Sequence, residues 1–574
     1  MYILGLNAYH GDSSACLYKD GQLISASEEE RFRRIKHWAG FPIEAIKFCL
    51  QEAGISIKEI DYVTLSRDPK AKMDKKILYL IKKGISFGNL VDRLQNRKKV
   101  SSIKNELAKA FSLDEKELKA VIHNIEHHRS HLASAFFASP FQEAAIVSID
   151  GFGDFSSTMT ATGKDNKIDV IDSVSYPHSV GVFYTALTQF LGFPYYGDEY
   201  KVMGLAPYGK PTMIEKLRDI LIFKENGLFE INEKYFTHPK KGVKMVWEDG
   251  SPEIETLYTD FLVEKFGNPR QKDEPLTDEH RNLAASVQRI CEELIFHILN
   301  HLHKKTGLDN ICIAGGVAQN SVANGKILRN TPFKHLYIPP AGHDAGTSIG
   351  SALYLYNHIL EKERLPAMYN PYTGSRFSND DVEKIVQTQG VAYEKLSDEA
   401  IFEQVSECLI GGGIVGWFQG RAEFGPRALG HRSILADPRR NDVKEILNLK
   451  IKRRESFRPF APSILKEAVP DFFEQTDDVP FMEKVFVIKP EMREKIPAVT
   501  HVDGTGRLQT VDKAVEPKYY GLIEHFGRKT GIPVLVNTSF NENEPIVNTP
   551  QEALDCFLRT KMDMLVMENI VVKR

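Results

Sequence analysis

His127 and His131 stand four residues apart in Glu126-His127-His128-Arg129-Ser130-His131, just ahead of the helical run Leu132 to Phe137. On a helix that spacing is about one turn, so both imidazoles project from one face. Two imidazoles so placed bind a divalent transition metal, with open positions left when one carboxylate completes the set. A carboxylate is on offer far downstream, in Pro339-Pro340-Ala341-Gly342-His343-Asp344-Ala345-Gly346. Spacing alone does not decide the matter. His297 and His301 share it inside Arg281 to Lys305, where Leu283, Val287, Ile290, Leu294 and Ile298 form the stripe of an ordinary core helix.

A second chemistry is written in arginines. Gly420-Arg421-Ala422-Glu423-Phe424-Gly425-Pro426-Arg427-Ala428-Leu429-Gly430-His431-Arg432-Ser433 is followed by Lys452-Arg453-Arg454-Glu455 and Arg458-Pro459-Phe460. Arginines grouped around glycines and serines suit bidentate binding of phosphate or carboxylate oxygens. An RNA patch interleaves exposed aromatics with basic residues, whereas Phe424, Phe457 and Phe460 read as core anchors. Neither a Walker A loop nor a Gly-x-Gly-x-x-Gly fingerprint occurs, so an ATP site is of another type.

The elements that must position these groups follow a pattern. Tyr2 to Leu6 is apolar, His10-Gly11-Asp12-Ser13-Ser14 is a polar turn, and Ala15 to Tyr18 resumes the sheet. Lys19-Asp20-Gly21 reads as a hairpin turn into Leu23 to Ala26. Strand, polar turn, strand is a way to hold phosphate oxygens on turn amides and hydroxyls. The same logic returns at Ala144 to Ile149, running into Asp150-Gly151-Phe152-Gly153-Asp154. Two such hairpins imply a duplicated actin-like ATPase core. A third signal, Asn310 to Ala314 then Gly315-Gly316-Val317-Ala318-Gln319-Asn320, is a strand, a glycine turn and a helix start, which favours a nucleotide.

The basic, helix-prone stretch Lys70 to Lys109 reads as a solvated helical excursion. Pro366, Pro371, Gly374 and Ser375 interrupt the chain after the helical Ser351 to Arg364, which predicts a domain boundary and a second α/β domain beyond it.

At 574 residues the chain is too long for one core. Its hydrophobic content of 42% and charged content of 26% are those of a globular protein. A net charge of -3 makes no general case for nucleic acid or a membrane surface. No apolar run approaches a membrane span, and the N-terminus lacks the pattern of a signal peptide. Six scattered cysteines without a Cys-x-x-Cys suit reduced thiols and a cytoplasmic location.

Together the motifs resemble the O-carbamoyltransferase family of NodU, CmcH and TobZ type, over nearly the whole chain. The resemblance rests on Ser27-Glu28-Glu29-Glu30-Arg31-Phe32, Glu126 to His131, Asp150-Gly151-Phe152-Gly153 and Tyr200-Lys201-Val202-Met203-Gly204-Leu205-Ala206-Pro207-Tyr208-Gly209. It continues in Gly315-Gly316-Val317-Ala318, Gly425 to Gly430 and Asn537-Thr538-Ser539-Phe540-Asn541. It implies a TsaD-like (actin-like) domain over 1–365 and a YrdC-like α/β domain over 376–574. The C-terminal domain would make carbamoyl adenylate from carbamoyl phosphate and ATP, with magnesium accompanying the ATP. The N-terminal domain would pass the carbamoyl group to a hydroxyl of a small molecule or sugar, as in the tailoring of natural products and antibiotics.

The resemblance also implies roles. His127, His131 and Asp344 would hold a divalent metal, iron(II) by family expectation or manganese or zinc, with Asp150 beside metal and phosphate. Gly151, Gly315, Gly316 and Asn320, with the loop carrying Lys201 and Gly204, would bind nucleotide. Arg427, Lys452, Arg458, Arg507, Asn537 and Ser539 would bind carbamoyl phosphate and ATP, with Arg427 and Lys452 catalytic. Many relatives have His and Asp adjacent in the first turn. Here Gly11 separates His10 from Asp12, so Asp12 is preferred as the group facing the acceptor. Two alternatives share these features: a transferase for tRNA threonylcarbamoyladenosine, and a non-catalytic actin-fold protein that binds nucleotide and partners. Fused modules speak against the first, and the arginine-rich domain has no role in the second.

Overall fold

The computed structural model describes residues 1–83, 103–243, 245–246 and 252–574. Five strands open the chain: β1 (Tyr2–Asn7), β2 (Ser14–Lys19), β3 (Gln22–Glu28), β4 (Tyr62–Leu65) and β5 (Val121–Asn124). They lie in the order β3-β2-β1-β4-β5. The first three are antiparallel neighbours, and β4 and β5 run parallel to β1. A tight turn with Asp20 and Gly21 at positive φ joins β2 to β3, as the Lys19-Asp20-Gly21 pattern predicts.

The sheet is then built a second time. Strands β6 (Glu143–Gly153), β7 (Ser156–Lys164), β8 (Lys167–Ser175), β9 (Asn310–Ala314) and β10 (His335–Tyr337) lie in the order β8-β7-β6-β9-β10. Again the first three are antiparallel and the last two run parallel to the leading strand. The same strand order and the same directions in both halves establish the duplicated actin-like core.

Two helices join the halves. Helix α1 (His127–Phe136) packs on β6 and β9 of the second sheet. A long helix α2 (Asp278–Thr306) covers the same half through Leu283, Val287, Ile290, Leu294 and Ile298. Helix α3 (Thr347–Leu353) packs on β1, β2 and β4 of the first sheet and against α1. The crossing is close enough to require glycine. A Cβ at Gly350 would stand 1.8 Å from the Ser130 carbonyl oxygen. The first turn of α1 and the approach to α3 are thereby brought together.

The C-terminal part is a nine-stranded mixed sheet. Its strands are β11 (Glu394–Lys395), β12 (Val415–Phe418), β13 (Arg432–Ala436), β14 (Ala461–Leu465), β15 (Lys484–Val487), β16 (Thr505–Val511), β17 (Val534–Ser539), β18 (Met564–Met567) and β19 (Ile570–Lys573). They lie in the order β11-β19-β18-β12-β13-β17-β14-β16-β15. Helices pack on it to enclose a core of its own, from Val382 to Val572. Another apolar cluster is shared: Leu132, Ile146 and Ile349 of the actin-like part meet Tyr372, Phe424, Leu429 and Phe481.

The basic stretch is described in part. Helices Met73–Lys83 and Ile103–Ala110 flank residues 84–102, which lie outside the described residues. All six cysteines are free thiols, five of them buried. Among the described residues no helix is long and apolar enough to cross a membrane.

Candidate functional site

Helix periodicity places His127 and His131 on one face of α1, with both side chains buried. Strand β6 ends at the same point and delivers Asp150. The turn Asp344–Gly346, leading into α3, delivers Asp344. The Nε2 atoms of His127 and His131 stand 3.1 Å apart. Asp150 Oδ2 is 3.0 Å from the first and 3.3 Å from the second. Asp344 Oδ1 lies 3.5 and 3.2 Å from them. One donor atom from each of the four residues falls within 4.8 Å of the others.

This convergence fits a divalent cation. Burial by itself would raise both carboxylates. In place, the imidazoles of His127 and His131 hold Asp150 far below the usual carboxylate range. Asp344 is likewise held low by His10 and His131, against its burial and the repulsion of Asp150. Burial lowers His131, but hydrogen bonds to Asp150 and Asp344 more than reverse this and raise it to about 9. Two ionised carboxylates facing two ring nitrogens form a cluster that calls for positive charge. His297 makes the contrast: its Nε2 faces the Lys224 carbonyl at 2.8 Å, a structural contact.

Sequence reasoning preferred Asp12 to His10, yet His10 reaches the cluster directly. Its Nδ1 sits 2.5 Å from Asp344 Oδ2. The inserted Gly11 is accommodated because Tyr9 and Asp12 both take positive φ in this turn. Asp12 stands with Oδ1 2.7 Å from His37 Nδ1 and Oδ2 4.0 Å from His343 Nε2. His37 went unremarked in the sequence, since its partner lies 25 positions earlier. A cavity of about 90 Å³ opens beside the cluster, lined by Asn7, His10, Arg67, His127, Phe152 and Asp154.

The glycine turn after β9 joins the cluster through one bond, Gly316 N–H to Asp150 Oδ1 at 2.9 Å. Gly315 has φ +96°, and a Cβ there would meet the Ile149 carbonyl oxygen at 2.2 Å. Asn320 caps the next helix, accepting from Ala323 N–H at 3.1 Å, and pairs with Gln288. The Gly151 carbonyl accepts from the Ser179 hydroxyl at 2.8 Å.

The Lys201 loop lies elsewhere, between the two halves of the molecule. Lys201 Nζ bridges Asp198 at 2.9 Å and Glu455 at 3.2 Å. Tyr200 lies under the Arg458 guanidinium at 4.5 Å, and Gly204 faces Pro459.

The arginines form a second centre. Arg427, Arg454 and Arg458 all bear on Arg507, whose pKa burial and these three cations depress strongly. Burial and Arg458 lower Arg427 to about 10 and Arg454 to about 9. Among the described residues no carboxylate pairs with Arg427 or Arg507, and Arg507 Nε is sealed from solvent without a partner. Unpaired cations crowded together make an anion site. Lys452 is buried beside it and committed, donating to the Ser539 and Asn541 carbonyls, Ser539 Oγ and Asn541 Oδ1. Asn537 reaches the Ala428 carbonyl at 3.2 Å and Gln509 at 2.9 Å. Arg454, absent from the expected set, stood in plain sight in the run Lys452-Arg453-Arg454.

Comparison with known proteins identifies the family. Residues 2–353 match the family model of the carbamoyltransferase N-terminus, and residues 406–574 that of the carbamoyltransferase C-terminus. The chain belongs to the carbamoyltransferase family. An uncharacterized protein of Synechocystis, sll1178, is 41% identical, covering 100% of this chain and 97% of its own. Nodulation protein NolNO of Sinorhizobium fredii is 36% identical over 99% of this chain and 80% of its own. Nodulation protein NolO of Bradyrhizobium diazoefficiens is 37% identical over 78% and 79%. A crystal structure of T. kodakarensis HypF aligns with 63% of this chain and 48% of that one, at 13% identity and a TM-score of 0.31. The strand order, not this alignment, carries the fold assignment.

Proposed function

We propose that the chain is an ATP-dependent O-carbamoyltransferase working in two half-reactions. Carbamoyl phosphate, water and ATP yield carbamoyl adenylate, phosphate and pyrophosphate at the arginine centre. The carbamoyl group then passes from the adenylate to a hydroxyl at the histidine–aspartate centre, releasing AMP. The observation that carries this reading is the coexistence, in one carbamoyltransferase chain, of a buried His/Asp cation cluster and a separate arginine cluster in which Arg427 and Arg507 have no carboxylate partner among the described residues.

The chain's own groups supply most of what the chemistry needs. Arg427, Arg458 and Arg507 offer charge-assisted hydrogen bonds to phosphoryl oxygens, and Arg454 joins them. Lys452 and Asn537 hold the walls of that pocket through Ser539, Asn541 and Ala428. Gly315 and Gly316 leave room for a nucleotide to approach backbone. His127, His131 and Asp344, with Asp150 adjacent, would hold a divalent cation, iron(II) or a similar ion. When bound, that cation supplies Lewis-acid polarisation and a fixed point for the reacting group. Asp12 stays ionised: burial would raise it, but His37 and His343 lower it. It can therefore accept the hydrogen bond of an incoming hydroxyl.

The test is to mix the full chain with ATP and carbamoyl phosphate and follow pyrophosphate. Release without any acceptor is expected. Arg427→Ala should remove most of it, through a loss of about 1.5–3 kcal/mol or more in charge-assisted hydrogen bonding. Unchanged release in that variant would sink the assignment. Replacing carbamoyl phosphate with threonine and bicarbonate distinguishes the tRNA-modifying alternative.

A further inference from the structure

The motif Ser27-Glu28-Glu29-Glu30-Arg31-Phe32 runs from the end of β3 into a short helix, Glu30–Arg33, yet two of its side chains reach into the C-terminal part. Glu28 Oε1 accepts the Gly425 N–H at 2.9 Å. Arg31 Nη2 donates to the Gly425 carbonyl at 2.8 Å. Both atoms of one glycine are thus gripped by a pair that is itself joined, Arg31 Nε to Glu28 Oε2 at 3.4 Å. Glu28 and Arg31 are 3% and 2% exposed, a costly place for two charges unless both are well satisfied.

Gly425 stands two residues before Arg427. It has φ +118°, and a Cβ there would lie 2.5 Å from the Pro340 carbonyl oxygen. The other end of the same loop is anchored from within the C-terminal part. Glu423 Oε1 accepts from the N–H groups of Leu429, His431 and Arg432 at 2.7, 2.9 and 3.1 Å. The opposite wall of the arginine pocket is gripped by the same N-terminal segment. Arg34 donates to the Ile546 and Pro545 carbonyls at 2.8 and 2.6 Å, just past Asn541.

We propose that Glu28 and Arg31 are positioning residues that hold the Arg427 loop in its anion-binding shape, so that the activating centre is completed by the actin-like half. The proposal rests on the reading of that centre given above. It predicts that carbamoyl phosphate affinity is set partly by two residues that never touch the ligand. A hydrogen bond to a buried charge fixes geometry as well as energy, and a small displacement of a catalytic arm is enough to weaken binding.

The experiment uses the full chain, with carbamoyl phosphate and inorganic phosphate as calorimetric probes and pyrophosphate release as the activity. Glu28→Ala should raise both the Kd and the KM for carbamoyl phosphate by at least about ten-fold, the range lost with a hydrogen bond to a charged group. kcat at saturation should change less, and metal content should stay at the wild-type level. Glu28→Gln keeps an oxygen for Gly425 N–H and should recover most of the affinity. Should Glu28→Ala fail to fold, Glu28→Asp, with the carboxylate withdrawn by one methylene, decides by the same criterion. A folded variant that only melts earlier, with wild-type Kd and KM, would mean plain interface packing and overturn the proposal. If the wild-type chain binds carbamoyl phosphate but releases no pyrophosphate, the adenylate reading fails while the Kd comparison still judges the clamp. A wild-type chain that binds neither probe overturns both.

Discussion

Replacing Arg507 with methionine should make the free protein more stable and leave it unable to bind its substrate. Arg507 lies partly buried among Arg427, Arg454 and Arg458, with its Nε sealed off and unpaired. Among the described residues no carboxylate or hydrogen-bond acceptor offsets that desolvation or the repulsion of three neighbouring cations. Methionine follows the aliphatic stem as far as the position of Nε and carries no charge. Exchanging badly compensated buried charge for an apolar side chain commonly stabilises by about 1–4 kcal/mol. The lower half of that range, about 1–2 kcal/mol, suits a group that keeps some contact with solvent. Carbamoyl phosphate at a hundred times its Kd should stabilise the wild-type chain by about 2.7 kcal/mol and the variant by almost nothing. The two stability orders therefore cross. Thermal unfolding of both chains, with and without carbamoyl phosphate, reads the four values directly. A variant that is less stable than wild type without ligand would refute the account of an unpaired cation. A variant stabilised by carbamoyl phosphate as much as wild type would refute Arg507 as a ligand-binding group.

Two further outcomes are expected. His127→Ala, His131→Ala and Asp344→Ala should each lose bound metal and carbamoyl transfer while keeping acceptor-free pyrophosphate release, whereas His297→Ala keeps its metal; elemental analysis beside both activities checks this, and full occupancy in all three would exclude the ligand set. Burial raises the Glu483 carboxyl to about 7, with Lys484 only partly opposing it. The folded chain then holds that proton more tightly than the unfolded chain, so stability should fall as pH rises from about 4.5 to 7 and stay lower above. Glu483→Gln retains an acceptor for Phe481 N–H and should remove that slope, worth up to about 3 kcal/mol; an unchanged pH profile in denaturation would show that Glu483 is not its source.

Much of this architecture was legible because it rests on local pattern. Polar turns between apolar strands announced both hairpins, and the His127/His131 spacing announced a shared helical face. Asp344 could be offered as a partner because it sits in a glycine-rich turn, although only the crossing of α1 and α3 brings it within 3.2 Å of His131. What escaped was long-range and side-chain specific. Gly11 separates His10 from Asp12 in the chain, and only the folded turn, with Tyr9 and Asp12 at positive φ, shows that His10 meets Asp344 while Asp12 meets His37. No periodicity marks a glutamate on β3 as the partner of an amide almost four hundred positions later. Nor does the motif around Lys201 disclose that its ammonium bridges Asp198 and Glu455, a residue of the C-terminal part.

That same long-range contact also bears on how the two centres would cooperate. In the proposed scheme, a carbamoyl group activated by one fold has to be used by another before water takes it. Linking two modules raises their effective concentration, but a flexible link alone fixes no geometry. Here the halves share an apolar cluster containing Phe424 and Leu429, on either side of Arg427. Gly425 is held by Glu28 and Arg31 and packs against Pro340, four residues before Asp344. The arginine loop and the segment leading to Asp344 therefore meet at a single glycine, whose missing side chain is what permits the approach.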